Sequence, residues 1–356
     1  MRTHQMWAAL LLVAVAGASV PVPSAAQERE RERNRERNRT RQQQSNESSQ
    51  NENEDDDASG AAADRRQAGN VDTTVSVSGD VRIVVTNFGG TITVKTWDKN
   101  AVRLVARLSR RDYVMMRATE STVRVQSGSR RGVSLAQDYE LTVPANADLG
   151  LSGTYTDVDV EGVRGAVRVE TVQGDVRVRG GSGVVALKSV QGHVSLEDAK
   201  GTRVELNATN EGVRVRNVSA ERLAVETVNG DIVLDKVDSP DVEGVTVNGN
   251  IWYEGTVRDR GQYLFATHNG RVDVGVAEGT NATVSVATYG GQFSSAFPVN
   301  RGDDRRSSRR FTFQLGNGSA RLDLESFQGG IRLRRPGAAA PRDKGEKDEK
   351  DGDDDR

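Results

Sequence analysis

The chain has no cysteine, only 4% aromatic residues and only three histidines among its 356 residues. Without cysteine there is no disulfide framework, no thiol nucleophile and no cysteine for lipid attachment, so packing alone must stabilise the fold. His4 falls in an N-terminal leader, and His193 and His268 fall in turn-like positions outside any nucleophile motif. No phosphate-binding loop is present, and the glycines do not follow a dinucleotide fingerprint. The Gly-Gly-x-Gly-x-Asp core of calcium-binding nonapeptide repeats is also missing. No cofactor is therefore implied. Arg168, Arg177, Arg179, Arg214 and Arg216 are interspersed with Glu161, Glu170, Glu197, Glu205 and Glu226, so the one-signed stripe of a nucleic-acid surface is lacking.

Long apolar runs are equally scarce. One occurs, Ala8 to Val20, after Arg2 and before the small residues Ser24-Ala25-Ala26. That order is the pattern of a secretory signal peptide over residues 1–26, and the run is too short to span a bilayer. With no second such run, no transmembrane span is expected in the mature chain, which is placed in the periplasm, at the cell surface or outside the cell. Residues 27–70 carry an arginine-rich block and then Glu54 to Asp57, and residues 336–356 are similarly charged. Such composition cannot offset chain entropy, so both segments are expected to be disordered tethers.

What the chain does have is a repeat. "TVNGDIVL" at 227–234 returns as "TVNGNIWY" at 246–253 and more loosely as "THNGRVDV" at 267–274. Aligned on the residue three before the recurrent glycine, the column runs Gly153, Thr171, Ser189, Ala208, Thr227, Thr246, Thr267 and Thr288, with gaps of 18, 18, 19, 19, 19, 21 and 21. A fixed period of this size marks a solenoid or array. Two and four places before the column stand pairs such as Val169 and Val167 or Val225 and Leu223. Five and seven places after it stand pairs such as Val176 and Val178 or Ile232 and Leu234. This is strand alternation, so each repeat is two short strands with an apolar inner face.

Between the strands lies a corner carrying Gly174, Gly192, Gly230, Gly249, Gly270 and Gly291, where a sharp turn calls for positive φ. Hairpins would explain one copy but not the equal spacing. Parallel stacking at about 4.8 Å per rung explains both. The expected fold is all-β: a β-helix-like parallel solenoid of about eight rungs of 18–21 residues over 149–299. An N-terminal β cap region is expected at 71–148 and a C-terminal β cap at 300–335. Thr171, Thr227, Thr246 and Thr267 share the parity of the inward residues, so their hydroxyls are expected to bond rung to rung or to backbone groups left open by the corner.

"TNFGGTITVKTWDKNAVRLVARL" at 86–108, "LTVPANADLGLSGTYTDVDVEGVRGAVRVETVQGDVRV" at 141–178 and the later T-x-N-G-x-[VI] repeats resemble the bacterial candidate-adhesin β-strand-repeat family, domain of unknown function 4097. The resemblance covers nearly all of 71–333 and implies an exported, envelope-associated β-repeat protein. It brings no ligand-contact residues. This sequence departs from the pattern at Glu211-Gly212 and at Thr156.

Three features are candidates for a site. Asp157, Asp175 and His193 follow the corner on consecutive rungs, and side chains about 5 Å apart in a row are placed to hold a divalent ion or share a proton. Turn preference alone also favours Asp there. Val233 and Trp252 share an outward column, which either contacts a ligand or partner or lies under the chain's own C-terminal strands. Arg301-Gly302-Asp303 spells an integrin-type tripeptide. The expected function is a non-enzymatic exported surface module, an adhesin or a structural scaffold, whose partner is a surface glycan or an envelope protein. The alternative is a polysaccharide-binding or polysaccharide-acting β-helix.

Overall fold

The computed structural model describes residues 65–341 except 69, 110, 131, 133–136 and 300–308, all within one compact unit, 61–356. The expected leader, residues 27–64, the Arg-Gly-Asp tripeptide and residues 342–356 lie outside the described residues. Among the described residues there is no helix, hence none long and apolar enough to cross a membrane.

Strands β1 (Arg65–Ala68) and β2 (Val71–Ser76) precede a long bent strand, β3 (Arg82–Trp97). Then come β4 (Ala101–Arg107), β5 (Asp112–Ala118), β6 (Thr122–Ser129) and β7 (Asp138–Pro144). The regular repeats are β8 (Asp148–Val163), β9 (Val167–Gln173), β10 (Val176–Gly180), β11 (Ser182–Gln191), β12 (Val194–Glu197), β13 (Lys200–Ala208), β14 (Val213–Glu226), β15 (Ile232–Asp238), β16 (Asp241–Asn248), β17 (Ile251–Thr256), β18 (Gln262–Asn269) and β19 (Val272–Gly275). The chain continues with β20 (Ala282–Thr288), β21 (Phe293–Ser295), β22 (Arg310–Leu315), β23 (Ala320–Gln328) and β24 (Ile331–Arg334).

Like positions of successive repeats pair in parallel. One ladder joins Val158, Val176, Val194, Val213, Ile232, Ile251 and Val272. The other joins Leu149, Val167, Val185, Val204, Leu223, Val242 and Tyr263. This is a solenoid and not a row of hairpins. Its core lies between the ladders, where every aliphatic residue read as inward, from Leu149 to Leu234, is buried. Toward the later rungs the filling changes from valine to rings. Tyr253 and Phe265 pack with centroids 4.8 Å apart, and Gly244, paired with Phe265, leaves room for its ring.

Each rung turns again at its far end, a second corner that the sequence reading did not anticipate. Its residues, Gly162, Gly180, Asp198, Asn217 and Lys236, all have positive φ. Asp and Asn tolerate the left-handed region better than other side chains, and Asn217 donates to Asp198 across the rung at 2.5 Å.

Both ends are built of β strands, and at each the rungs extend further than the repeat spelling shows. At the N-terminal end β3 is itself a rung, with Ile83 and Val85 paired to Leu149 and Leu151, and Ile92 and Val94 to Val158 and Val160. Its corner is spelled Asn87-Phe88-Gly89-Gly90, so spelling concealed a repeat that the strand parity obeys. Beyond it the ladders continue as β6, β5 and β1 on one side and β7, β4 and β2 on the other, turning antiparallel after the first added strand. At the C-terminal end, β23 and β24 do not close the stack. They form a full rung inserted between β18–β19 and β20–β21. Thr288 therefore stacks on Ser326, and Ser326 on Thr267. Among the described residues β22 alone caps this end, antiparallel to β20.

Candidate functional site: the glycine corner and its outer ridge

The first corner is built from one repeated hydrogen bond. Each inward hydroxyl donates to the corner carbonyl of the preceding rung: Thr171 to Thr156 at 3.0 Å, Ser189 to Gly174 at 2.9 Å, Thr227 to Glu211 at 2.9 Å, Thr246 to Gly230 at 3.1 Å and Thr267 to Gly249 at 2.9 Å. The intercalated rung obeys the same rule, with Ser326 donating to Gly270 at 2.8 Å and Thr288 to Gly329 at 3.2 Å. These carbonyls turn out of the strand ladder, and a buried acceptor left unmade is costly. The hydroxyl column therefore bonds to backbone groups that the corner leaves open.

The same carbonyls explain the glycines. A Cβ on Gly249 would land on the carbonyl oxygen of Gly230, one on Gly270 on that of Gly249, and one on Gly192 on that of Gly174. Positive φ, the reason expected from sequence, holds at Gly90, Gly174 and Gly192 but not at Gly230, Gly249 or Gly270. There the requirement is close approach of one rung's backbone to the next. Beside this column runs an amide ladder that the sequence reading missed. Asn229 donates to Asn210 at 3.3 Å, Asn248 to Asn229 at 2.8 Å and Asn269 to Asn248 at 2.7 Å. Its signal was present as an Asn immediately before the glycine in successive repeats.

Outside the corner lies a continuous ridge. The residue following the hydroxyl column is Val172, Val190, Thr209, Val228, Val247, His268, Phe327 and Tyr289 in spatial order, as the pairings of their neighbours fix. Among the described residues, the exposed large hydrophobics are Val172 at 50%, Val228 at 41%, Tyr289 at 48%, Phe327 at 44% and Tyr155 at 56%. Four of these stand in this column, and the fifth borders it, where Tyr155 meets Phe88 edge-on at 5.6 Å. At the other end His268 and Phe327 stack at 4.7 Å with planes 8° apart, and Tyr289 follows at 5.1 Å. His268 and Phe327 therefore cover one face of each other's ring, while Tyr289 lies tilted by 36° to Phe327.

The Toastrack DUF4097 family model fits residues 61–334. The chain belongs to this family. Solved structures similar to this Toastrack chain include a candidate adhesin from Parabacteroides distasonis, at 10% identity over 75% of this chain and 97% of that one, with a TM-score of 0.40. A candidate adhesin from Bacteroides fragilis is 12% identical over 75% and 98%, with a TM-score of 0.35. A candidate cell-adhesion protein from Clostridium sporogenes is 10% identical over 78% and 100%, with a TM-score of 0.23. No curated protein matches the chain.

The Toastrack stack places the other candidate residues in structural roles. Asp157 and Asp175 accept the backbone N–H of the next rung's residue in their own column, Asp175 at 2.8 Å and His193 at 2.9 Å. The second carboxylate oxygen of Asp175 takes Arg177 at 2.7 Å, and His193 Nε2 lies 3.4 Å from Glu211. Among the described residues no group of three or more His, Asp or Glu is arranged for a metal ion. Asp231 and Asn250 repeat the same bond further along, to Asn250 and Arg271.

Trp252 and Val233 are buried, 7% and 5% exposed, so of their two expected roles the structure departs from the ligand or partner contact and not from cover by the chain itself. Arg334 lies over the Trp252 ring at 4.7 Å, held by Glu254 at 2.6 Å and Asp273 at 2.7 Å. The segment after β24 then runs back across these rungs, with Gly337 N–H donating to Glu254 at 2.9 Å and Arg214 donating to the Pro341 carbonyl at 3.0 Å. The cover is thus the C-terminal end of the chain.

Proposed function

We propose that this Toastrack chain is an exported, non-enzymatic surface module that adheres to a protein partner through the corner ridge. The observation that carries the reading is the concentration of exposed large apolar side chains along the corner, with Val172, Val228, Phe327 and Tyr289 in one column and Tyr155 beside it. Concentrated apolar exposure of this kind marks an interaction site. The rung hydrogen bonds hold the ridge backbone in place, so little conformational freedom is lost on docking. A glycan stacks on open ring faces, whereas His268 and Phe327 stack on each other and the rest of the column is largely aliphatic, which favours a protein with an apolar groove. The secretory pattern of residues 1–26 supports placement at the envelope.

The test is adhesion of envelope fragments to the immobilised protein, wild type against a triple variant with Val172→Thr, Val228→Thr and Phe327→Gln. Thr209 already occupies this column, so the variant is expected to melt within about 1 kcal/mol of wild type and to lose adhesion at least tenfold. Undiminished adhesion overturns the ridge. Binding and turnover on a polysaccharide array would establish the rival enzyme reading.

A further inference from the structure

The column that follows the corner glycine changes chemistry at one end of the stack. From Asp157 to Asn250, side-chain oxygens accept the next rung's N–H wherever the column carries Asp or Asn. At the next positions the column reads Arg271, Gly330 and Gln292, in spatial order. Arginine has no acceptor and glycine no side chain. The N–H of Gly330 and that of Gln292 therefore lose the partner that the ladder supplies elsewhere, and neither has another among the described residues. Their carbonyls remain engaged, with Val272 and Ile331 respectively, at 3.0 Å in each case.

These two donors line a cleft of about 590 Å³ together with Arg271, Arg332 and Ser294. The acids nearby are already committed. Arg334 binds Glu254 at 2.6 Å and Asp273 at 2.7 Å, and Arg332 reaches Asp273 only at 4.0 Å. The Arg271 guanidinium has no ion pair among the described residues. Gly330 leaves an open step between Arg271 and Gln292, where a Cβ would meet only the Gln292 carbonyl, at 3.2 Å. Arg271, without an ion pair, and Arg332, with only the long one to Asp273, thus line the cleft together with two backbone N–H groups and the Ser294 hydroxyl.

We propose that this cleft binds an oxyanion, the carboxylate or phosphate of an acidic saccharide. Backbone N–H groups beside arginine form the usual cradle for such a group, and the volume exceeds a bare anion and suits a sugar-sized ligand. The site is separate from the ridge and does not depend on it.

The experiment is calorimetric titration of the full chain with inorganic phosphate, glucuronate and neutral glucose, at low and high salt. Saturable, salt-sensitive binding of phosphate alone assigns a phosphoryl group, binding of glucuronate alone assigns a carboxylate, and binding of both assigns the shared oxyanion. The decisive variant is Arg271→Asn, which removes the cation and restores the acceptor, as Asn250 already does for the Arg271 N–H at 3.0 Å. It is expected to bind at least tenfold more weakly while melting at or above the wild-type temperature. Gly330→Asp is expected to weaken binding likewise by placing a carboxylate in the cleft. Equal binding of glucose, no saturation at millimolar anion, or undiminished binding by Arg271→Asn would each overturn the site.

Discussion

From Val167 to Gly275 the order of rungs along the stack is the order along the chain. From Ala282 to Arg334 it is not, because β23–β24 slips between two rungs that precede it in sequence. The local chemistry is nevertheless the same in both regions. Ser326 donates to the Gly270 carbonyl as Thr246 does to that of Gly230. Hydrogen bonds and packing between neighbouring rungs require like shape, not chain continuity, so any segment with the right parity and corner can occupy a place in the stack. Connectivity is limited only by loop reach. The six residues from 276 to 281 span up to about 20 Å when extended, which is ample for a step of two rungs.

The largest expected difference between the regions is in tolerance to deletion. Excising one regular repeat, residues 185–203, rejoins like edges, since Val185 and Val204 are already equivalent, and the shortened protein is expected to remain folded and monomeric. Excising residues 320–334 instead removes the partner of β18, β19, β20 and β21 together. That variant is expected to aggregate or lose its cooperative melt, as size-exclusion chromatography and circular dichroism would show. A well-behaved monomer there would mean that β20–β21 can dock directly on β18–β19.

A smaller effect separates the inner corner from open loops. Gly249→Ala drives a Cβ into the Gly230 carbonyl and is expected to cost about 3 kcal/mol in urea denaturation, at the upper end for overpacking. Gly279 has φ of 82° and open space around it, so Gly279→Ala is expected to cost only the left-handed backbone term, roughly 1 kcal/mol. Equal costs would refute close approach as the reason for the corner glycines. The smallest contrast is between the inner and outer faces of the corner column, at Thr246 and Thr209. Thr246→Val leaves the Gly230 carbonyl without its donor and should cost about 1–2 kcal/mol. Thr209→Val, on the ridge, should be within about 0.5 kcal/mol of wild type. If Thr227→Val combined with Thr246→Val leaves the melting temperature unchanged, the hydroxyl column has no structural role.

Much of this was legible because the stack is quasi-one-dimensional. Strand alternation marked each inward valine and leucine, and the repeat period implied parallel stacking once hairpins failed to explain it. The Thr column was readable from parity alone. The candidate sites fared differently. The ridge residues Val172, Val190, Val228 and Val247 sit beside a turn, where an apolar residue looks like an extension of the strand. Only the stack shows that they face solvent in one line. The Asp157, Asp175 and His193 row was found correctly as a row, but the bonds that occupy its oxygens come from backbone groups that the sequence does not display.

What the sequence by itself determined is the rung: two alternating strands, a hydroxyl before the corner and a glycine at it. Those features are local, set by side-chain parity and by the room one backbone leaves for the next. What only the tertiary structure decided is the order of the rungs and what covers them. It inserted β23–β24 out of turn, laid the C-terminal segment across Trp252 and gathered Arg271, Gly330 and Gln292 into one cleft. Residues distant in the chain become neighbours there through stacking, and stacking energy depends on the match between surfaces, which no stretch of sequence carries alone.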